Sequence, residues 1–239
     1  MSTSPPPAPS LRALLTLALP MVLARMTQSV DTFADTLQVK SLGQDAIAAT
    51  SAGGFNTFGL VILPMGTVFI LQSFVAQHLG RGERDRARPY AYYGLAIALI
   101  AGLVALALMP LVRPALGLLS YAPDVEAQMG DYVMVRLLSV GAIVGTEALG
   151  AWYGGLGNTW MQMVAAIISM VANIVANYLF INGNLGMPAL GVEGAALSSV
   201  IASWLGLAFL SLAFARGWGG ATRSPGPLGL SFKALRRVF

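Results

Sequence analysis

Residues 90–112 read YAYYGLAIALIAGLVALALMPLV, an apolar run that contains no charged side chain. A helix of about 20 predominantly apolar residues crosses the hydrocarbon core of a bilayer, so this run predicts a membrane-spanning helix. The whole chain has the same character, because 56% of its 239 residues are hydrophobic and only 10% are charged. A soluble domain of this length has too little interior to bury so many apolar side chains. The composition therefore predicts an all-α polytopic membrane protein.

Further apolar stretches precede and follow this run, and together they predict a bundle of six transmembrane helices. The predicted spans are Leu11 to Val39, Ala46 to Leu79, Tyr90 to Val112, Tyr132 to Tyr153, Met161 to Ile181 and Ala195 to Ala215. Pro20 and Pro64 lie inside the first two spans and predict bends, because proline removes a backbone hydrogen bond.

The bundle divides the chain into a proline-rich tail over residues 1–10, the transmembrane region over 11–216 and a final segment over 217–239. We predict that the final segment is a cytoplasmic linker followed by the start of a basic amphipathic helix, which indicates a truncated chain. The alternative is a short basic tail that lies on anionic lipid.

The distribution of arginine predicts the orientation of the chain in the membrane. Four arginines lie in the loop over residues 78–88, and five further basic residues follow the sixth span from residue 216 onward. Acidic residues dominate the loops at the opposite ends of the spans, around residues 124–131 and 182–194. Because basic loops stay in the cytoplasm, both termini are predicted to be cytoplasmic, in a multi-pass protein of the inner (plasma) membrane.

Several function classes are unlikely from the residue inventory alone. The chain has no cysteine and only one histidine, His78, so disulfides, thiolate metal sites and histidine-based catalytic sets are not expected. No phosphate-binding loop is present, and the arginines flank apolar runs instead of forming a basic stripe for nucleic acid. We therefore expect no enzyme activity, no metal, no cofactor and no nucleic-acid partner.

The first span carries polar residues that a lipid-facing helix would exclude. Gln28, Asp31 and Asp35 follow one another at helical spacing, and Arg25 lies on the same stripe. A charged side chain in a span costs about 2.5 to 3.5 kcal/mol on insertion scales, and loading a proton or cation removes the cost of a carboxylate's charge. This face predicts a cation or proton site centred on Asp35. The alternatives are that Arg25 and Asp31 neutralise each other, or that both acids reach water.

Polar residues in other spans also have two interpretations, a functional one and a structural one in helix packing. Asn173 and Asn177 lie one turn apart in the fifth span, where they either contribute oxygen ligands or hydrogen-bond between helices. Ser199 lies in the sixth span, where small neighbours favour packing. In the fourth span, Glu147 is the candidate for a proton relay or gate, whereas Arg136 is expected near the outer end, where it can snorkel to water.

Specific blocks of this sequence resemble the multidrug and toxic compound extrusion (MATE) transporters. The spacing from Leu19-Pro20-Met21-Val22-Leu23 through Gln28 to Asp35 is similar to the family's first helix. Further similar blocks are Leu42-Gly43, Ala46 to Ala49, Ala76 to Gly80, Gly157-Asn158-Thr159, Asn173 to Phe180, Gly186 to Gly191 and Gly194 to Leu197. The family often has an aspartate at the position of Asn177 and usually a glycine at that of Lys40.

The resemblance implies one lobe of a twelve-helix antiporter that exports drugs or organic cations in exchange for H⁺ or Na⁺. This chain would be its amino-terminal lobe, and its partner would be the missing carboxy-terminal lobe or a second copy. By the same resemblance, the ion site would comprise Asp35, Asn173, Asn177 and Ser199. We also expect Pro20, Gln28, Asp31 and Glu147 at the substrate cavity or gate, although the resemblance assigns no role to Asp31 or Arg25.

Two other functions stay open at this point. A related flippase would move a lipid-linked precursor, and such a protein is expected to have a more basic cavity. A truncated fragment would transport nothing by itself. Acidic and amide residues in the spans favour a cationic cargo.

Overall fold

The computed structural model describes residues 11–221. In the first helix, some side chains are not described: Arg12, Ala13, Leu14, Leu17, Gln28, Asp31 and Thr32. The predicted tail over residues 1–10 and the amphipathic helix predicted near the end of the chain therefore lie outside the described residues. The same is true of the two predicted cavity side chains, those of Gln28 and Asp31.

The described residues form α-helices joined by short turns, without a β-strand among them. In chain order the helices are α1 (Leu11–Val39), α2 (Gln44–Phe69), α3 (Leu71–Gly80), α4 (Arg84–Leu108), α5 (Val112–Leu116), α6 (Pro123–Leu137), α7 (Val140–Gly155), α8 (Thr159–Phe180) and α9 (Gly191–Arg216).

These helices combine into membrane-length segments. Within residues 11–221, four stretches are long and apolar enough to cross a membrane: Gln44–Gly80, Arg84–Leu116, Thr159–Phe180 and Gly191–Arg216. The pair α6 and α7 meets the same criterion when it is counted as one span, with a bend of 48° between the two helices. Helix α1 is 29 residues long, and its apolar stretch Ala18–Thr27 is shorter than a membrane span. The arrangement is an all-α polytopic membrane fold.

The segment formed by α6 and α7, which is the fourth predicted span, differs from the sequence prediction in two details. Its first helix begins at Pro123, not at Tyr132, so Asp124 and Glu126 lie in the first turn of a helix and not in a loop. Proline at the start and carboxylates in the first turn both favour a helix N-terminus. The predicted fourth span was a single helix that contained both Arg136 and Glu147. In the structure a bend after Leu137 separates them, so Arg136 lies on α6 and Glu147 on α7.

Contacts near the ends of the helices identify the two ends of the bundle. At one end, the Trp152 indole donates to the Ala87 carbonyl over 2.8 Å, and the Arg88 guanidinium lies 4.6 Å from the centre of the Phe214 ring. At the other end, Ser41 donates to Asn182 over 3.1 Å, which ties the turn after α1 to the turn after α8. The arginine-rich loop and the end of α9 therefore share one end, as alternating spans require.

Small residues allow the helices to approach closely. Gly155 on α7 faces α3, where an added Cβ would lie 2.6 Å from Val75 Cβ and 2.7 Å from the Gln72 carbonyl oxygen. Gly194 on α9 faces the backbone of Phe180 at the end of α8 with similarly little room. Such contacts are typical of membrane helices, where close packing replaces the hydrophobic effect as the main source of association.

Candidate functional site

A chain of hydrogen bonds joins α1, α8 and α9 inside the bundle. The Asn177 amide nitrogen donates to Asp35 Oδ1 and, over 2.8 Å, to Asn173 Oδ1. The Asn173 amide nitrogen in turn donates to Ser199 Oγ over 3.1 Å. We call these four residues the Asp35 network. The structure therefore brings together all four residues of the predicted ion site.

Helix geometry explains how the network forms. Asn173 and Asn177 are four residues apart on α8, so their side chains project from the same face. That face packs between α1 and α9, and both asparagines are buried. Asp35 lies one turn before the end of α1 and is half-buried. The helices therefore direct a carboxylate, two amides and a hydroxyl to one place.

The network offers oxygen atoms to a small cation. Among the described residues, Asn177 Oδ1 is buried without a hydrogen-bond partner. Hard cations such as Na⁺ favour carboxylate and carbonyl oxygens, and a proton needs only the carboxylate. Asp35 supplies a carboxylate and Asn177 an amide carbonyl, so the arrangement has the chemistry for either ion.

A cavity of about 310 Å³ adjoins the network. Residues of α1, α2, α3, α6, α7, α8 and α9 line it, and we call it the α8-side cavity. Its polar lining residues are Arg25, Thr27, Asp35, Gln72, Arg136, Thr146, Glu147, Gln162, Ser169, Asn173, Ser199 and Ser203. This volume is at the lower end of the range for small-molecule sites.

A second cavity of about 730 Å³ lies on the other side of Asp35, towards α2 and α6. We call it the α2-side cavity, and its lining includes Thr50, Phe55, Phe58 and Tyr132. Arg25, Asp35 and Arg136 line both cavities. Asp35 therefore contacts two adjoining spaces within the bundle.

The structure gives the charged residues around the cavities contacts that the sequence did not specify. Arg25 Nη2 donates to Glu147 Oε1 over 3.3 Å, so Glu147 obtains its partner from α1. Arg136 lies in the last turn of α6 and lines both cavities, and its Nε is buried without a hydrogen-bond partner among the described residues. Its position near the outer end of the span stays a prediction.

The other predicted residues lie at or beside the site. Glu147 lines the α8-side cavity, and Pro20 is a buried residue within α1 that precedes the lining residue Met21. Sequence reasoning missed Gln72 and Gln162, which line the same cavity. Each is an amide side chain inside an otherwise apolar span, and the same pattern in the sequence identified Asn173 and Asn177 as candidates.

The fold and the site together define a polytopic helical membrane protein with a polar, acid-containing cavity inside its bundle. The family model described as MatE matches residues 20–179. This match covers most of the chain, including α1 to α8 and all of the Asp35 network except Ser199. The chain therefore belongs to the MatE family.

Individual relatives agree with this assignment. The chain is 31% identical, over 81% of its length, to a probable multidrug resistance protein NorM of Neisseria meningitidis serogroup B, of which it covers 42%. An outward-facing multidrug resistance MATE family transporter of the MOP superfamily matches with a TM-score of 0.84 at 22% identity, over 95% of this chain and 50% of that one. A MATE crystal structure in the bent conformation matches with a TM-score of 0.82 at 23% identity, with the same coverage. The chain spans less than half the length of the NorM relative.

Proposed function

We propose that this chain is the amino-terminal lobe of a secondary active transporter that exports organic cations or drugs in exchange for H⁺ or Na⁺. The twelve-helix transporter would be completed by a carboxy-terminal lobe or by a second copy of the chain. It would lie in the inner membrane as a multi-pass protein with both termini in the cytoplasm. Residues 217–239 would then form the cytoplasmic link to the second lobe.

The observation that carries this proposal is the Asp35 network. A carboxylate at the edge of two cavities attracts a cation, and the buried Asn173 and Asn177 amides beside it favour a compact ion. The names of similar proteins also support an export function, because the relatives described above are named as multidrug resistance proteins.

Coupling follows from competition for the same charge. When Asp35 is ionised it favours an organic cation in the cavity, and when it holds H⁺ or Na⁺ that attraction is lost. Loading of one therefore disfavours the other, which is the difference in affinity that exchange requires. Glu147 acts in this scheme as a second acid whose charge is balanced by Arg25.

The charge balance favours this function over a lipid-linked precursor flippase. Among the described residues, Arg25 and Arg136 contribute two positive charges to the α8-side cavity, and Asp35 and Glu147 contribute two negative charges. A pyrophosphate-linked precursor carries several negative charges and needs a surplus of basic residues. Equal numbers of positive and negative charges do not provide such a surplus.

The test is the pH dependence of cation binding by the purified chain in detergent. Tetraphenylphosphonium is a suitable probe because its charge is permanent. We expect its affinity to rise with pH, and we expect Asp35→Asn to remove that pH dependence. Addition of Na⁺ at high pH distinguishes the coupling ions, since Na⁺ lowers the affinity only if it competes at Asp35.

The matched control is Asp131→Asn, because Asp131 pairs with Arg113 away from both cavities. This variant should keep the pH dependence of the wild type. If the wild-type affinity does not change with pH or with Na⁺, or if Asp35→Asn keeps the wild-type response, then the assignment of Asp35 as the coupling residue is wrong.

A further inference from the structure

The bend between α6 and α7 forms without a proline. Proline is a common cause of a sharp bend in a helix, but none lies between Pro123 and the end of α7. Another cause is a side chain that bonds to a backbone group and so interrupts the helical hydrogen bonds. Trp204 on α9 is such a side chain, because its indole Nε1 donates a hydrogen bond to the Leu138 carbonyl over 3.2 Å.

The backbone at the bend is wound more tightly than an α-helix. Leu138 N donates to the Val135 carbonyl over 3.1 Å, and Ser139 N donates to the Arg136 carbonyl over 2.9 Å. Both bonds join residues three apart, as in a 3₁₀-helix, whereas an α-helix joins residues four apart. In a continuous α-helix the Leu138 carbonyl would accept from the backbone N–H of Ala142. Here its donor is the indole from α9.

The position of Trp204 indicates that this hydrogen bond belongs to the membrane-spanning part of the fold. Tryptophan is enriched at the two surfaces of a membrane, whereas Trp204 lies near the middle of the 26-residue helix α9. Trp204 is 50% exposed and Leu138 is 42% exposed, so both lie on the surface of the bundle. Because hydrocarbon offers no donor to a freed carbonyl, a neighbouring side chain has to supply one.

The bend determines the direction in which the side chains of α6 point. One residue turns a 3₁₀-helix by about 120° and an α-helix by about 100°, so two tightened residues rotate α6 by about 40° relative to α7. Arg136 lies in the last turn of α6 and lines both cavities. At the end of a side chain, roughly 6 Å from the helix axis, this rotation corresponds to a displacement of about 4 Å.

We infer that Trp204 is a positioning residue whose indole holds the bend between α6 and α7 and so directs Arg136 towards the two cavities. The consequence for binding rests on the proposed function, since it concerns the cation that Asp35 attracts. Arg136 is the positive charge that α6 contributes to this site, and it acts on Asp35 electrostatically. Because the guanidinium repels a bound cation, the bend limits the affinity of the site and favours release of the cation.

The first experiment measures the bend in the purified chain by electron paramagnetic resonance. The chain has no cysteine, so spin labels at Asp124→Cys and Arg84→Cys meet no background, and both positions are exposed. Asp124 lies in the first turn of α6, and Arg84 begins α4 at the end of the bundle where α7 finishes. The distance between the two labels therefore reports the length of the segment formed by α6 and α7.

Loss of the indole should make this segment straighter. Without it, the Leu138 carbonyl regains a donor only if α6 and α7 approach one continuous helix. For helices of 15 and 16 residues, complete loss of the 48° bend would lengthen the segment by about 4 Å. Trp204→Phe, which removes the N–H and keeps an aromatic ring, should therefore lengthen the label distance by about 2 to 4 Å.

The second experiment measures the binding of tetraphenylphosphonium by the same variants at high pH. Trp204→Phe should tighten binding by about threefold to tenfold, because a positive charge moves away from the cation. Trp204→His keeps a ring N–H at the corresponding position of a five-membered ring, so it should retain the wild-type distance and affinity. The matched control is Trp160→Phe, at a 58% exposed tryptophan near the start of α8, and it should behave like the wild type.

The label distances and the binding data separate this inference from the proposed function. An unchanged label distance in folded Trp204→Phe contradicts the inference, even if its thermal stability falls. A longer distance with unchanged affinity also contradicts it, because Arg136 would then not be directed by the bend. Absence of tetraphenylphosphonium binding by the wild type counts against the proposed function, whereas the label distances still test the bend.

A measurement on the wild type applies if Trp204→Phe does not fold. Trp152 and Trp204 both donate to backbone carbonyls, so a ¹⁵N-tryptophan NMR spectrum should show at least two of the four indole N–H signals at hydrogen-bonded chemical shifts. Fewer than two such signals contradict the inference.

Discussion

The Arg25–Glu147 pair allows a test in which two substitutions at one contact have opposite effects. Arg25→Gln leaves Glu147 as an unbalanced acid at the α8-side cavity, so binding of tetraphenylphosphonium should become tighter. Glu147→Gln removes one negative charge from the lining of the same cavity, so binding should become weaker. The double variant restores the charge balance and should bind about as the wild type does.

The size of the cavity sets the magnitude. A sphere of 310 Å³ is about 8 Å across, so a wall charge acts on a bound cation over roughly 4 to 8 Å. At about 8 Å, with an effective dielectric constant of about 20 to 40, one unit charge contributes roughly 1 to 2 kcal/mol. Each single variant should therefore shift the dissociation constant by about fivefold to thirtyfold, in opposite directions. The exposed fraction of Arg25, 53% against 11% for Glu147, places the Arg25→Gln effect at the lower end.

Equilibrium dialysis of the probe against the purified variants measures these shifts, and thermal unfolding in the same detergent checks that each variant is folded. Because the effect is electrostatic, added salt should reduce it. A purely structural role predicts something else: both single variants would lose affinity and thermal stability together. If Arg25→Gln weakens binding as Glu147→Gln does, the electrostatic reasoning is refuted.

Two further predictions concern stability. Gly155→Ala places a Cβ against Val75, and because overpacking of this kind costs about 1 to 3 kcal/mol, the thermal unfolding midpoint should fall. In the control Gly66→Ala, the added Cβ meets nothing within 4 Å, so the midpoint should rise through better helix propensity. Equal midpoints for the two variants would contradict the packing seen at Gly155. In the α3–α4 loop, a hydrogen bond with His78 lowers the pKa of Glu83 from its usual 4.5. The hydrogen bond therefore stabilises the fold at pH values above 4.5, and this stabilisation is lost as the pH falls through the lowered pKa of Glu83. Glu83→Gln should have a lower thermal midpoint than the wild type at neutral pH, and the difference should shrink on acidification. A difference that grows in acid would contradict the assignment.

The sequence predicted most of the helices because each carries a continuous apolar run. The first helix has the predicted bounds, Leu11–Val39. The start of the fourth segment was wrong because residues 123–131 are amphipathic and acidic, and hydropathy alone cannot distinguish such a helical turn from a polar loop. The break at Ile70 was also not predicted, since its neighbours on both sides are apolar.

The grouping of polar residues was predictable where they recur at helical spacing, and it was not predictable where the partners come from different helices. Asn173 and Asn177 are one turn apart, so their common face could be read from the sequence. The pairing of Arg25 with Glu147 joins residues far apart in the chain, and the spacing within α1 suggested Asp31 as the partner instead. No periodicity in a single sequence encodes which two spans will be neighbours.

The way α1 is held in the bundle links the network to transport. Apolar side chains such as Leu19, Met26 and Phe33 are more than half exposed, whereas Ala24 and Val39 are buried and α1 packs mainly against α8. Its polar contacts include the Arg25–Glu147 pair to α7 and the Asp35–Asn177 bond to α8. In the proposed function, loading an ion on Asp35 alters the directed contact between α1 and α8. Ion loading then favours the arrangements of α1 in which that contact is not needed, because a ligand shifts an equilibrium by its difference in affinity for the two states.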